Sequence, residues 1–200
     1  MDVGAFKGDW ARVGVKTFPE ATIFCIEPQN ESQQDLQELA REYSNIKVIQ
    51  TLLGASKREN VPFQQIGQAS SLLLRNANNE MTSSMTKIDL LIESGLCEPP
   101  ELLKLDVNGY EIEVLKGWTK RFEFCQVIQS EINLLPSVPD APLLHEFVAY
   151  LYERGFVIYD IEEFIRAPSD GTVWLIDALF CRINSPFRKE RVWRPKASNI

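Results

Sequence analysis

The chain has 200 residues, of which 44% are hydrophobic and 24% charged, proportions that are ordinary for a globular protein. Its formal net charge of −7 argues against nucleic acid as the general partner, because polyanions are bound by basic surfaces. The apolar runs are too short to span a bilayer, and no cleavable leader precedes the first motif. We therefore expect a soluble, cytoplasmic protein with no membrane span.

Strand-like and helix-like patterns alternate along most of the chain. Short apolar runs predict strands at 2–3, 21–28, 46–54, 101–106, 122–135, 156–161 and 172–183. Apolar residues at helical spacing, or a short run ended by glycine, predict helices at 9–16, 31–44, 87–95, 110–116 and 142–155. Weaker signals in the polar segment 55–87 suggest short strands around Phe63–Gln64 and Ser71–Leu74.

This order predicts an α/β fold with a doubly wound, mostly parallel sheet of about seven strands, of the Rossmann-like type. Parallel strands need crossover connections, and the predicted helices supply them. The last two strands are expected to form an antiparallel pair at the edge of the sheet. No repeat or linker interrupts residues 1–184, which we expect to form one domain.

Residues 185–200 form a basic tail with five Lys or Arg residues and one Glu. A solvated chain end is one interpretation, and contact with an acidic partner or subunit is the other. Oligomeric state cannot be inferred from the sequence.

The four cysteines show no metal-binding or redox spacing. Cys25, Cys97, Cys125 and Cys181 include no C-x-x-C pair and no set spaced with histidines, which disfavours the usual zinc and thioredoxin-like sites. Three of them stand in apolar strand-like runs, so we expect buried free thiols in a reducing compartment.

The opening stretch "DVGAFKGDW" indicates a ligand-binding turn between a strand and a helix. Gly4 and Gly8 form G-x-x-x-G, without the middle glycine that lets a pyrophosphate approach the backbone. A nicotinamide cofactor is therefore disfavoured, and a nucleoside without a pyrophosphate fits better. Glu27 follows the second strand, where an acid typically accepts hydrogen bonds from ribose hydroxyls, and Pro28 offers a flat surface for a base. An unliganded turn and an ordinary exposed acid are the alternatives.

Three acids end predicted strands, namely Glu27, Asp106 and Glu131. In an open α/β sheet the ligand lies outside the carboxyl ends of the strands. We therefore expect these three side chains to converge on one site.

A set of motifs along the chain resembles the FkbM-type methyltransferases, which are class I enzymes that use S-adenosylmethionine. The motifs are "DVGAFKGDWA", "IEPQ", "LLKLDVNGYEIEVLKG", "SEI", "GFVIYDI" and "DALF", and they run from Met1 to about Arg182. The resemblance implies a seven-stranded sheet with a reversed terminal hairpin. It also implies methyl transfer to a hydroxyl group of a small-molecule acceptor, such as a sugar or a polyketide alcohol.

The same resemblance implies roles for individual residues. The methionine part of the cofactor would lie against Asp2, Gly4, Ala5 and Gly8, and the ribose against Glu27. Asp106, Gly109 and Glu111 would lie beside the reacting centre, with Asp106 also contacting the cofactor. The sequence departs from the family at Phe6, where Asn is usual, and at Asn108, where an acid or Gln is usual.

Methyl transfer to a hydroxyl group needs a base, and the strand-end acids could supply it. Asp106 and Glu131 would face the cationic sulfonium and could deprotonate an alcohol directly or through a divalent ion, so metal dependence stays open. The alternatives are cap or solvent-facing acids, and for Glu111 a helix-dipole partner. His145 is more typical of a surface or packed residue than of a base. Trp10, Trp118 and Trp174 are expected in the core.

The first predicted strand is shorter than a central strand usually is. We therefore expect apolar residues to precede Asp2 in the authentic polypeptide. Two other functions remain open: a catalytically inactive methyltransferase-like binding or assembly module, which the short strand and the basic tail favour, and a nucleotide-dependent oxidoreductase, which the missing glycine disfavours.

Overall fold

The computed structural model describes residues 1–64, 71–73 and 80–189, which form an α/β fold. The strands in the described residues are β1 (Asp2–Val3), β2 (Ile23–Ile26), β3 (Ile46–Ile49), β4 (Leu52–Leu53), β5 (Arg58–Gln64), β6 (Glu80–Thr86), β7 (Leu102–Leu105), β8 (Val127–Asn133), β9 (Phe156–Arg166) and β10 (Val173–Arg182). The helices there are α1 (Asp9–Thr17), α2 (Asn30–Glu42), α3 (Ile88–Glu93), α4 (Glu111–Lys116) and α5 (Leu144–Tyr152).

Seven of these strands form the main sheet, in the order β3-β2-β1-β7-β8-β10-β9. In this sheet β3, β2, β1, β7 and β8 are parallel, while β10 runs antiparallel to both β8 and β9. The predicted doubly wound sheet with an antiparallel terminal pair is thus confirmed. The switch in strand order places β1 and β7 side by side at the centre, where a cleft forms outside their carboxyl ends.

Helices cover both faces of the main sheet because strand side chains alternate between the faces. On one face, α1 and α2 bury Ala11, Val15, Leu36 and Leu39 against Cys25 and its neighbours. On the other face, α3, α4 and α5 bury Leu91, Val114, Leu115, Phe147 and Leu151 against β1, β7, β8 and β10. Trp118 belongs to this second cluster, as predicted, and all four cysteines are buried and free.

A second sheet of three strands, in the order β4-β6-β5, was not predicted as a sheet. The apolar run 46–54 was expected to be one strand, but it divides into β3 in the main sheet and β4 in the small one. The sequence "EMTSSMT" of β6 is too polar to predict a buried strand, and its pairing with β5 and β4 stabilises it. Of the predicted strand 71–74, Ser71 makes an isolated bridge to Gln64, and Leu74 lies outside the described residues.

Two further boundaries differ from the prediction. Residues Phe122–Phe124 form a 3-10 turn rather than the start of β8, and β9 extends through the polar segment 162–166 because β10 pairs with it along its length. In the basic tail, Pro186–Arg188 form a 3-10 turn, and residues 190–200 lie outside the described residues. Within the described ranges, no helix is both long and apolar enough to cross a membrane.

Candidate cofactor and acceptor site

A cleft of about 790 Å³ opens at the carboxyl ends of β1, β2, β7 and β8. Small-molecule sites usually measure about 300–1,000 Å³, so the cleft is large enough for a nucleoside cofactor and an acceptor together. Its lining includes Gly4, Ala5, Glu27, Pro28, Asp106 and Glu131, six of the residues that sequence analysis selected. The predicted convergence of the three strand-end acids is therefore observed.

The turn after β1 lines the cleft with Gly4, Ala5 and Phe6. Its backbone is held within the fold, because the N–H groups of Gly4 and Ala5 donate to the carbonyl oxygen of Ile26. Gly4, Phe6 and Gly8 all have positive φ, at 79°, 44° and 84°. A Cβ atom on Gly4 would lie 1.8 Å from the carbonyl oxygen of Asp106, so only glycine lets the turn pack against the end of β7. Phe6 is the unusual member, because a bulky residue rarely adopts this conformation and Asn does so more readily.

Glu27 ties the end of β2 to this turn. Its Oε2 accepts a hydrogen bond from the backbone N–H of Phe6 (2.8 Å), and its Oε1 accepts one from the backbone N–H of Gln29 (2.9 Å). Burial raises the pKa of Glu27, although these two bonds oppose the rise. A carboxylate offers about four acceptor sites, so Glu27 retains acceptor capacity on both oxygens for the hydroxyl groups of a ribose.

Asp2 on β1 and Asp106 at the end of β7 both pair with one buried cation, Lys104. Lys104, on β7, lies 3.4 Å from Oδ1 of Asp2 and donates a hydrogen bond of 3.1 Å to Oδ2 of Asp106. Burial lowers the pKa of Lys104, but the two carboxylates raise it overall, so the ammonium stays charged. Asp2 is fully buried and does not line the cleft, in contrast to the direct cofactor contact that the resemblance implies.

Glu111 supports the loop between β7 and α4 from behind. Its Oε1 accepts hydrogen bonds from the backbone N–H groups of Gly109 (3.0 Å) and Val107 (3.3 Å). Burial raises the pKa of Glu111 to about 7. Its residue is 3% exposed and does not line the cleft, so the helix-end role fits it better than a place beside the reacting centre. Gly8 and Gly109 are likewise absent from the lining of the cleft.

A row of three carboxylates, the acidic row, lines the part of the cleft formed by β8, β10 and β9. Glu131 on β8 stands opposite Asp177 on β10, and Asp177 stands opposite Glu163 on β9. Directly opposed residues project from the same face of a sheet, and all three line the cleft. Burial, together with the charges of Asp106 and Asp177, raises the pKa of Glu131 to about 7.

Polar contacts shape the walls of the cleft. Trp10 of α1 is half-buried beside the cleft rather than in the core, and its Nε1 donates a hydrogen bond of 2.8 Å to Oε1 of Gln129. On the opposite side the small sheet approaches α4, where Arg58 donates to the hydroxyl of Tyr110 (3.1 Å) and Ser71 donates to the carbonyl of Asn108 (2.8 Å). His145 is exposed on α5 and lies outside the lining of the cleft.

Sequence reasoning missed Lys104, Asp177, Glu163 and Gln129. Lys104 and Asp177 each interrupt an apolar strand, in "LLKL" and "LIDALF", and a lone charge in a buried strand is a usable signal. For Glu163 and Gln129 no such signal exists, because their position depends on strand register. No group of three or more His, Cys, Asp or Glu side chains in the described ranges has the geometry of a metal site.

Comparison with known proteins identifies the family. The methyltransferase FkbM domain matches residues 2–158, which is more than half of the chain. The chain belongs to the FkbM methyltransferase family.

Individual relatives are more distant. A segment of 58 residues is 36% identical to the hexuronic acid methyltransferase AglP of Haloferax volcanii, covering 29% of this chain and 24% of that protein. The chain thus matches about a quarter of the length of that relative. Precorrin-6y C5,15-methyltransferase of Geobacter metallireducens superposes with a TM-score of 0.52 at 10% identity, covering 90% of this chain and 77% of that one. This likeness establishes the class I methyltransferase fold.

S-adenosylmethionine is the cofactor that the family assignment gives to this cleft. The described residues fit it on three grounds: Gly4 and Ala5 line the cleft at a turn that packs closely against the end of β7, Glu27 keeps acceptor capacity at the end of β2, and the volume is sufficient. Glu27, Pro28, Gly4 and Ala5 would hold the cofactor, and Asp106, at the end of β7, lines the cleft between them and the acidic row of Glu131, Asp177 and Glu163.

Proposed function

We propose that this chain is an S-adenosylmethionine-dependent O-methyltransferase that acts on a hydroxyl group of a small acceptor of the sugar or polyol type. The observation that carries the proposal is the position of Glu131, a cleft-lining carboxylate with a pKa of about 7, next to the strand ends that hold the cofactor. A general base works best when its pKa lies near the working pH. We place the reaction in a reducing, cytoplasmic compartment, as the four buried free thiols favour.

The bound cofactor supplies an activated methyl group on a sulfonium, so the protein mainly has to align the acceptor and remove a proton. Glu131 would accept the proton of the acceptor hydroxyl, which leaves the acceptor oxygen free to take the methyl group that the cofactor would supply. Positioning of two reactants in this way accounts for much of the rate enhancement in such displacements. Asp106 directly follows β7, the strand next to β8 on the side of the residues that would hold the cofactor.

We call the part of the cleft lined by Glu131, Asp177 and Glu163 the acceptor half. It favours an acceptor that carries no negative charge near the reacting hydroxyl. Carboxylates of Glu131, Asp177 and Glu163 accept hydrogen bonds and repel anions. Within the described residues, Lys104 is the cation beside this row, and it is already paired with Asp2 and Asp106. Trp10 adds an apolar ring to the same wall, a surface on which the carbon face of a sugar can pack.

The hexuronic acid substrate in the name of the archaeal relative supports a sugar acceptor, but the acidic row argues against a uronate at this position. A matched panel tests both points. Methyl glucoside, glucosamine and glucuronate would be incubated with the protein and labelled S-adenosylmethionine, and methyl ethers would be detected by mass spectrometry. We expect methylation of the first two and little of the third.

Two outcomes would contradict the proposal in different ways. Binding of S-adenosylhomocysteine without turnover on any hydroxyl acceptor would favour the inactive binding or assembly module. Preferred methylation of glucuronate would retain the enzyme but refute the charge preference. Binding of S-adenosylhomocysteine should therefore be measured by calorimetric titration before the panel. Thermal unfolding is a second readout of the same binding, because ligand at a hundredfold over its dissociation constant stabilises a fold by about 2.7 kcal/mol.

A further inference from the structure

Lys104 is a buried cation in the middle of an apolar strand. The strand reads "LLKL", and its second and fourth residues belong to the main core. Only 13% of the Lys104 side chain is exposed. Burying an ammonium is unfavourable unless it is paired, so a lysine at this position requires an explanation beyond packing.

The pairing of Lys104 crosses the two central strands. Asp2 on β1 is its register partner, and the Asp2 carboxylate is the nearest acid on that side, at 3.4 Å. Within the described part of the chain, neither oxygen of Asp2 accepts a hydrogen bond. Burial raises the pKa of Asp2, and the charge of Lys104 opposes this rise. Since Asp2 is fully buried and outside the lining of the cleft, its carboxylate faces Lys104 and does not contact a ligand.

On its other side, Lys104 contacts a carboxylate that does face the cleft. The hydrogen bond from Lys104 to Oδ2 of Asp106 measures 3.1 Å, and 40% of the Asp106 side chain is exposed. A half-exposed Asp would otherwise sample several rotamers, and a charge-assisted hydrogen bond to a buried cation restricts it to one. The three charges therefore form a chain from the core to the cleft: Asp2, Lys104, Asp106.

We propose that Lys104 is a positioning residue for cofactor binding, which holds the Asp106 carboxylate toward the cationic part of S-adenosylmethionine while Asp2 serves as the buried counter-charge. The inference rests on the proposed function, because it assigns Asp106 to the cofactor. It reassigns Asp2 from direct contact to action through Lys104. A merely structural ion pair between β1 and β7 is the competing explanation.

The test is a double-mutant cycle read by calorimetric titration with S-adenosylmethionine in the absence of acceptor, because S-adenosylhomocysteine lacks the sulfonium charge. Lys104→Met alone leaves Asp2 buried without a counter-charge and is expected to destabilise the fold. The variant with both Asp2→Leu and Lys104→Met replaces the pair by apolar side chains, which proteins often tolerate well. We expect it to unfold near the wild-type temperature but to bind the ligand about tenfold more weakly, the scale of one charge-assisted hydrogen bond.

Coupling to Asp106 separates positioning from structure. In an Asp106→Asn background the same double replacement should cause no further loss of affinity, because its effect passes through Asp106. Lys104→Arg, which keeps the charge, should retain the wild-type affinity within about threefold, a smaller change than the tenfold loss expected for the apolar double variant. Lys116→Met is the control, since that lysine pairs with Glu113 on the surface of α4 outside the cleft.

Each result decides between the explanations. Wild-type affinity in the folded apolar double variant, or losses that simply add to those of Asp106→Asn, would overturn the positioning role and leave a structural ion pair. If the wild-type protein itself bound no S-adenosylmethionine, the proposed function would fail and this inference with it. If the wild-type protein bound the ligand and all Lys104 variants matched it, the inference alone would fail.

Discussion

The two halves of the cleft differ in the chemical groups that line them. The cofactor half, at β1, β2 and β7, consists of backbone turns and of charges that already have partners: Glu27 holds two N–H groups, and Lys104 links Asp2 to Asp106. The acceptor half, at β8, β10 and β9, places three carboxylates opposite one another. Like charges at opposed positions destabilise a sheet, so the acceptor half retains an unfavourable arrangement that the cofactor half avoids.

This difference indicates which half of the cleft controls cofactor affinity and which half controls catalysis and acceptor specificity. Groups that are satisfied within the fold hold a fixed geometry, which suits a cofactor that never changes. Carboxylates with raised pKa values near one another are typical of reacting groups, as at Glu131. Substitutions in the two halves should therefore separate, with the acceptor half affecting turnover and the cofactor half affecting affinity and stability.

The largest effect is expected for Glu131→Gln. Loss of a general base lowers the rate by about 10²–10⁴-fold, and this change should appear in kcat with little change in S-adenosylhomocysteine affinity. In the wild type, kcat should rise with pH and level off above about 7, because protonated Glu131 cannot accept a proton. The variant should lack this rise. A retained pH profile in Glu131→Gln would assign the base to another group.

Glu27→Ala should weaken cofactor binding by about 1–3 kcal/mol, the scale of hydrogen bonds to a charged group. It should also lower the free energy of unfolding, because the N–H groups of Phe6 and Gln29 lose their acceptor. Glu27→Gln is the matched control, since it keeps one carbonyl oxygen at the same position. Titration and thermal unfolding measure the two effects, and an unchanged affinity in Glu27→Ala would exclude the ribose contact.

Phe6→Asn should stabilise the protein by up to about 1 kcal/mol, because Asn tolerates the left-handed region better than a bulky residue. Phe6 has φ of 44°, and only its backbone N–H bonds to Glu27. The control Phe6→Leu keeps the unfavourable backbone and should not raise the unfolding temperature. A stability loss in Phe6→Asn would show that packing of the ring outweighs backbone strain.

The smallest effect is expected for Asp177→Asn. Removing one like charge beside Glu131 should shift the rising limb of the pH–rate profile toward lower pH by a fraction of a unit. The fold should tolerate the change, because Asp177 is only partly buried on β10. The control is Asp160→Asn, an exposed position on β9 outside the cleft. A shift toward higher pH would contradict the proposed coupling.

Much of the cofactor half could be predicted because its signals are local. Each signal spans only a few residues: the glycine spacing around Gly4, the acid at the end of "IFCIE", and the block around Asp106. The roles of Asp2 and Glu111 could not be predicted, because burial decides them. Both carboxylates are almost fully enclosed, one beside Lys104 and the other behind the loop of Gly109.

Local sequence patterns were sufficient to predict the alternation of strands and helices, the order that makes the sheet mostly parallel, and the family to which the chain belongs. These properties depend on side-chain periodicity and on turn residues, which act over a few positions. Which charges meet depends on the tertiary structure. Glu131, Glu163 and Asp177 come from three separate strands, and Asp2 meets Lys104 across about half of the chain. Strand register sets such pairings, and register depends on the packing of the whole core.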